Sequence, residues 1–206
     1  MVTETNNNEV VLEVKDLRTY FFNRWGTVKA VDGVSFSLRK GETLGIVGES
    51  GCGKTITSLS LLRLNPRPAS RIIDGEINLE GENILDRSDQ EMREIRGRKI
   101  SMILQDPQTS LNPVYTVGNQ LVEALVHRKD LQRDLKEDAE QALRNVKVAA
   151  PERRLDDFPH QMRGGMKQRV VGAIAMACDP AVIIADEPTT ALDVTIQMQY
   201  LSLIHI

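Results

Sequence analysis

The chain is poor in cysteine, in aromatic side chains and in long apolar runs, and each shortage excludes something. Its two cysteines, Cys52 and Cys178, sit at no metal-ligand spacing and build no disulfide framework, which fits a reducing compartment. Aromatic residues are 4% of the 206, too few for a base-stacking nucleic-acid platform. A net charge of −3 gives no electrostatic case for nucleic acid either, and no nucleic-acid partner is expected. No stretch approaches the roughly 20 consecutive apolar residues that span a bilayer. The opening MVTETNNNEV has neither the basic start nor the apolar centre of a signal peptide. Any membrane role therefore has to come through a partner. What the chain does have is a 41% hydrophobic content, enough for the core of one or two globular domains.

Residues 9–17 and 29–38 alternate apolar and polar side chains and read as strands, and 40–42 (KGE) is a turn between elements. TLGIVG is a short apolar strand that runs into a glycine-rich loop, and ITSLSLLRL after it has helical spacing. Residues 71–84 read as a hairpin around glycine turns, EMREIRGRK as a charged helix, and ISMILQ as a buried strand. Residues 118–148 are mostly helical with a charged middle, and AVIIAD at 181–186 is another short buried strand. There is no internal repeat and no low-complexity linker. Short buried strands alternating with helices predict an α/β fold with a largely parallel sheet. The stretch 107–178 has the composition of a helical subdomain inserted between two core strands.

Two segments carry chemistry. Gly48-Glu49-Ser50-Gly51-Cys52-Gly53-Lys54-Thr55 fits G-x-x-x-x-G-K-[ST], with a strand before it and a helix after it. In such a loop the glycines let backbone N–H groups wrap phosphates, Lys54 reaches the β- and γ-phosphates, and the Thr55 hydroxyl binds Mg²⁺. The helix from Thr55 adds its N-terminal dipole. Cys52 reads as a small loop residue rather than a redox group. The second segment, AVIIADEP, places Asp186 and Glu187 at the exit of an apolar strand. Phosphate transfer needs a carboxylate near the metal and a second group to orient water. Asp186 suits the first role and Glu187 suits the second, that of general base. Alone, two acids after an apolar run are a common strand exit; a phosphate loop upstream favours the functional reading.

A third segment is ambiguous on its own residues. FPHQMRGGMKQRV sets Gly164 and Gly165 between basic residues, and Met166, Val170, Val171, Ile174 and Ala177 then recur at helix spacing. The glycine pair suits an anion at a helix start, or a plain surface loop with capping glycines.

In combination these segments resemble an ABC-type ATPase domain. The phosphate loop, Gln105 in ILQDPQTSLNP, GGMKQR, IIADEP and TALD at 190–193 occur in that family's order, over essentially residues 10–200. The wording is most similar to ATP-binding subunits of bacterial oligopeptide and dipeptide importers, in VKAVDGVSFSLRKGETLGIVGESGCGKT, QDPQTSLNPVYTVG, APERRLDDFPHQM and DEPTTALDVTIQ. The resemblance implies a P-loop nucleotide-binding domain with an antiparallel β subdomain and an inserted helical subdomain. It implies ATP and Mg²⁺ as cofactors, a second ATPase subunit, two membrane permeases, an indirect solute-binding partner, and a peripheral place on the cytoplasmic face of the bacterial inner membrane. Gln105 then resembles the glutamine that touches Mg²⁺ or water where the membrane subunit docks. Phe21 in TYFF aligns with the adenine-stacking aromatic, with Tyr20 and Phe22 as rivals. Asp193 resembles the aspartate that speaks across the dimer, although aspartate also caps helices.

The family's L-S-G-G-x signature, which completes the partner's ATP site, reads Met162-Arg163-Gly164-Gly165-Met166 here. Arg163 replaces a serine that caps the helix and meets the partner's γ-phosphate. Arginine has no acceptor with which to cap, and it adds positive charge to a positive helix end. The lost cap costs about 1 kcal/mol. Three readings stay open: a sequence error or damaging change, a degenerate half-site in a heterodimer, and phosphate binding by charge.

The end of the chain departs from the family. The wording holds to TIQMQ, and LSLIHI, residues 201–206, matches a translated transposon-end adapter rather than the family. The expectation is an ABC ATPase domain over 1–200 that lacks the family's later strand and switch histidine, followed by a non-native tail. His205 does not take the switch role. A product ending there is expected to be poorly stable and inactive, and the full-length gene product active. Two other classes remain: a soluble ABC ATPase without a transport role, and an inactive fragment that at most binds nucleotide.

Overall fold

The structure is a computed structural model that describes residues 9–104, 110–126 and 134–188. It forms two compact units, Met1–Glu94 and Ile95–Ile206.

The first unit is built on a four-stranded sheet in the order β2-β1-β3-β4, from Val10–Asn23 (β1), Gly26–Arg39 (β2), Ser70–Leu79 (β3) and Glu82–Asn83 (β4). Every pairing in it is antiparallel. Parallel pairing between strands is confined, among the described residues, to Ile100–Ile103 (β5) and Val182–Ala185 (β6) of the second unit, beside an isolated parallel bridge from Arg96 to Ile100. Among the described residues, the parallel pairing expected from alternating elements is therefore the smaller part of the ladder. Hydrophobic period distinguishes strands from helices but says nothing of their direction, and β1 and β2 are joined by a turn too short for a crossover.

β1 changes phase halfway. Leu12 and Val14 are buried, then Leu17 and Thr19, so the buried face shifts from even to odd positions. The shift falls at an irregularity between Val14 and Leu17, where Asp16 has φ 45°. One extra residue in a strand turns everything after it to the other face. Thr19 thereby faces the helix Lys54–Leu61 (α1), and its hydroxyl meets that of Ser60 at 2.9 Å, both fully buried.

One strand expectation fails. Residues 42–49, which include TLGIVG, belong to no strand, and Leu44, Ile46 and Val47 are exposed, Val47 at 95%. The segment has the apolar composition of a buried strand but no ladder among the described sheets. A strand is stabilised by its neighbours' backbone groups and side chains rather than by its own propensity.

In the second unit the helices Val117–Leu125 (α3), Leu135–Asn145 (α4), Pro151–Arg154 (α5) and Gly164–Met176 (α6) gather round one core; the short Asp89–Ile95 (α2) precedes them. Val117, Leu121 and Leu125 recur every fourth residue and are all buried with Leu143, Val170 and Ile103. Each fully buried aliphatic side chain of this kind contributes about 1.5–3 kcal/mol. The described residues contain no helix long and apolar enough to cross a membrane.

Candidate functional site

Four described helices have eight residues or more, and their starts fall into two classes. Thr116 caps α3 by accepting from the Asn119 N–H, and Asp134 caps α4 by accepting from the Lys136 N–H. The starts of α1 and α6 have no side-chain cap and no acidic residue in the first turn. Their leading N–H groups and positive dipole ends are left for something other than the helix's own side chains. These two bare starts are the two glycine-bearing segments singled out in the sequence.

At α1 the cap residue is Gly53, with φ 98° and ψ 3°. A side chain there is excluded twice. The left-handed backbone disfavours it, and a Cβ would lie 2.3 Å from the Ala30 carbonyl oxygen, a backbone atom of β2 that cannot give way. Gly48 is also confined, since a Cβ on it would meet Cys52 Sγ at 2.5 Å. Lys54 opens the helix and folds back over the loop, donating to the carbonyls of Gly48 and Glu49, each at 2.8 Å. Its ammonium lies 3.9 Å from Cys52 Sγ. Glu49, Ser50, Gly51, Cys52 and Thr55 are all exposed. The result is an exposed glycine loop with one ammonium at an uncapped, positive helix end, which suits phosphate oxygens.

Phe21 lies on the α1 side of β1. β1 stays in step with β3 from Thr19 to Phe21, so Phe21 shares the face of Thr19, which meets Ser60 of α1. Tyr20 and Phe22 point to the opposite face. Tyr20 donates its hydroxyl to Asp32 at 2.6 Å, and Arg71 lies 5.8 Å over the Phe22 ring. The Tyr20 hydroxyl, followed by Lys29 and Arg18, holds the Asp32 carboxyl below its usual range. Of the three rivals, Phe21 alone is on the face that α1 occupies.

In the second unit Asp186 directly follows β6. Its N–H donates to the Ile103 carbonyl at 3.0 Å, continuing the ladder beyond Ala185, and its side chain is 8% exposed. Glu187 follows, exposed, with φ 46°. A left-handed backbone at a residue with a Cβ costs about 1–2 kcal/mol and persists where neighbours enforce it. Gln105 and Asp193 lie outside the described residues, as does the tail 201–206.

At α6 the cap position is Arg163, extended at φ −76° and ψ 158°, and exposed. Its carbonyl accepts from the N–H groups of Met166 and Lys167, while its side chain caps nothing, as arginine's lack of an acceptor requires. A Cβ on Gly164 would meet nothing within 4 Å. Gly165 and Met166 are partly buried.

Two residues of GGMKQR carry structure that the sequence reading left without a role. Gln168 is 1% exposed, and its Nε2 donates to the Pro188 carbonyl at 2.8 Å. Arg169 donates through one guanidinium nitrogen to the carbonyls of Val146 and Lys147, at 3.3 and 2.7 Å, at the end of α4. The available signal was Gln168's place one turn after Gly164 and in line with Val171, Gly172 and Ala175, a polar residue on an apolar face.

A glycine loop that opens a helix with lysine, in a chain whose parallel strand ends in two carboxylates, defines a P-loop nucleotide-binding protein. More narrowly, the chain belongs to the ABC transporter family, whose family model matches residues 31–190. It is 52% identical over 196 residues to the dipeptide transport ATP-binding protein DppD of Bacillus subtilis, covering 95% of this chain and 58% of that protein. It is 51% identical over 197 residues to a protein of Sinorhizobium fredii named probable peptide ABC transporter ATP-binding protein y4tR, covering 95% and 59%. The chain thus spans somewhat over half the length of these relatives. Among solved structures it is similar to the ATP-binding cassette MJ0796, a dimer in a post-hydrolysis state bound to ADP and Pi, with TM-score 0.81 and 26% identity. That match covers 94% of this chain and 81% of the cassette.

Proposed function

We propose that the protein is the ATP-binding and ATP-hydrolysing subunit of a membrane importer of oligopeptides or dipeptides. The observation that carries the reading is the start of α1, where Gly53 has no room for a side chain and the Lys54 ammonium folds back onto the Gly48 and Glu49 carbonyls of the loop. Residues 48–55 hold the phosphates and Phe21 stacks on the base. For Mg²⁺ the chain offers the Thr55 hydroxyl and the Asp186 carboxylate, hard oxygens of the kind the ion prefers, with Gln105 as a further one. When bound, the ion neutralises charge on the phosphates. Glu187 accepts a proton from the attacking water.

The bare start of α6, residues 163–166, serves the ATP of a second ATPase subunit, and Asp193 acts across that dimer. Residues 107–178 act as the helical subdomain that faces two permeases. The subunit then works peripherally at the cytoplasmic face of the membrane, with a solute-binding protein acting through the permeases. The peptide class rests on the names of DppD and y4tR.

The test is the full-length subunit assembled with its permeases in vesicles. ATP turnover stimulated by dipeptides or oligopeptides is expected, and Glu187→Gln should bind ATP while losing about 100-fold or more of turnover. Unchanged turnover in Glu187→Gln overturns the base assignment, and turnover indifferent to peptide overturns the transport reading.

A further inference from the structure

Glu187 sits between two anchors. On one side the Asp186 N–H is bound to the Ile103 carbonyl, which ties the chain to β5. On the other the Pro188 carbonyl accepts from Gln168 Nε2, which ties it to α6. Between them Glu187 holds φ 46°, a conformation that a residue with a Cβ adopts only when its surroundings impose it. Pro188 has no N–H of its own, so its carbonyl is the one ladder-type group by which that residue can be held.

Gln168 is a costly way to make this contact unless the contact matters. Its amide is almost wholly buried on a helix whose neighbouring buried positions are Val170, Val171, Gly172, Ala173 and Ala175. A buried amide that loses its partner costs about 1–3 kcal/mol, so the bond to Pro188 constrains both ends.

We propose that Gln168 is a positioning residue for Glu187: its buried amide fixes the Pro188 carbonyl and so holds Glu187 in the left-handed backbone that aims its carboxylate. Gln168 stands one turn inside α6, four residues after Gly164, so the orientation of the α6 start and the setting of Glu187 are mechanically joined within one subunit. The inference rests on the reading of Glu187 as the base that activates water.

The experiment uses the full-length subunit in its assembled transporter. Gln168→Met keeps length and volume and removes the donor; Gln168→Asn keeps the amide and withdraws it by one methylene. Both should lower kcat about 100-fold, the order expected for a misplaced catalytic group, with ATP Kd changed less than about twofold. In a Glu187→Gln background the same substitutions should not lower the residual turnover further, because there is no base left to position. A merely structural role would lower turnover in both backgrounds and weaken ATP binding as well, and that result overturns the proposal. If one variant fails to fold, the other carries the test. A second readout is independent of activity: amide hydrogen exchange at Asp186 should speed up in both variants, and unchanged exchange there also overturns it. Should the parent transporter hydrolyse no ATP, the functional reading fails, while the exchange measurement still decides whether Gln168 restrains this segment.

Discussion

The starts of α1 and α6 look alike in sequence, each a glycine-containing stretch with a basic residue opening a helix, but they are built for opposite reasons. At α1 glycine is required from within. Gly53 has φ 98°, and a Cβ there would collide with the Ala30 backbone. At α6 nothing inside the chain requires Gly164, since a Cβ would meet nothing within 4 Å. A glycine that its own described surroundings do not need suits an approach from outside them. The first start is shaped by its own fold, and the second fits a start shaped for another molecule.

Substitutions break or sharpen this contrast. The largest effect is expected from Gly53→Ala, which adds strain of about 1–3 kcal/mol and closes the loop. Binding of a fluorescent ATP analogue should be lost and the melting temperature should fall; retained binding would show that the α1 start tolerates a side chain after all. Gly164→Ala should act with opposite signs, gaining about 0.5–1 kcal/mol of helix stability while assembled ATP turnover falls. A loss of stability there, read by thermal melting, would mean that Gly164 is needed from within too. Arg163→Ser should add a cap worth about 1 kcal/mol and raise turnover in the assembled dimer. Unchanged turnover would show that Arg163 is tolerated at this position.

The smallest effect comes from a capped start, which serves as the control. Ser88 and Glu91 form a reciprocal cap on α2: the Ser88 N–H and hydroxyl both donate to the Glu91 carboxylate at 2.7 Å, and the Glu91 N–H donates back to the Ser88 hydroxyl at 3.2 Å. These bonds from Ser88, then Arg87, lower the Glu91 carboxyl to about 2 from an ordinary 4.5. A lowered carboxyl stabilises the fold above its unfolded value, and that contribution disappears as pH falls from 4.5 toward about 2. Amide protection in Asp89–Ile95 should decay over that window, and Glu91→Gln should abolish the dependence.

Much of this was legible because chemistry at a phosphate needs fixed residue types at fixed spacing. Gly53, Lys54 and Thr55 follow as candidates from that need, and the roles proposed for Asp186 and Glu187 follow once a phosphate loop is present. Arg163's failure to cap was legible as well, since it depends only on what a guanidinium lacks. What escaped depends on partners distant in sequence. The apolar run in TLGIVG promised a strand, but a strand needs a neighbour. The shift of β1 from Val14 to Leu17 is a single irregular residue, and without it Phe21 cannot be told from Tyr20 and Phe22. Gln168 and Arg169 look like ordinary polar helix residues until the backbone carbonyls they bind are seen.

The bonds of Arg169 to Val146 and Lys147 have a consequence for rotation. Successive residues on a helix are turned by about 100°. Gln168 and Arg169 therefore hold two different segments of one unit from two sides of one helix: the segment after β6, and the end of α4. A twist of α6 about its own axis cannot shift one without shifting the other. One helix thus carries both contacts, and a rotation at its glycine end would load the two together.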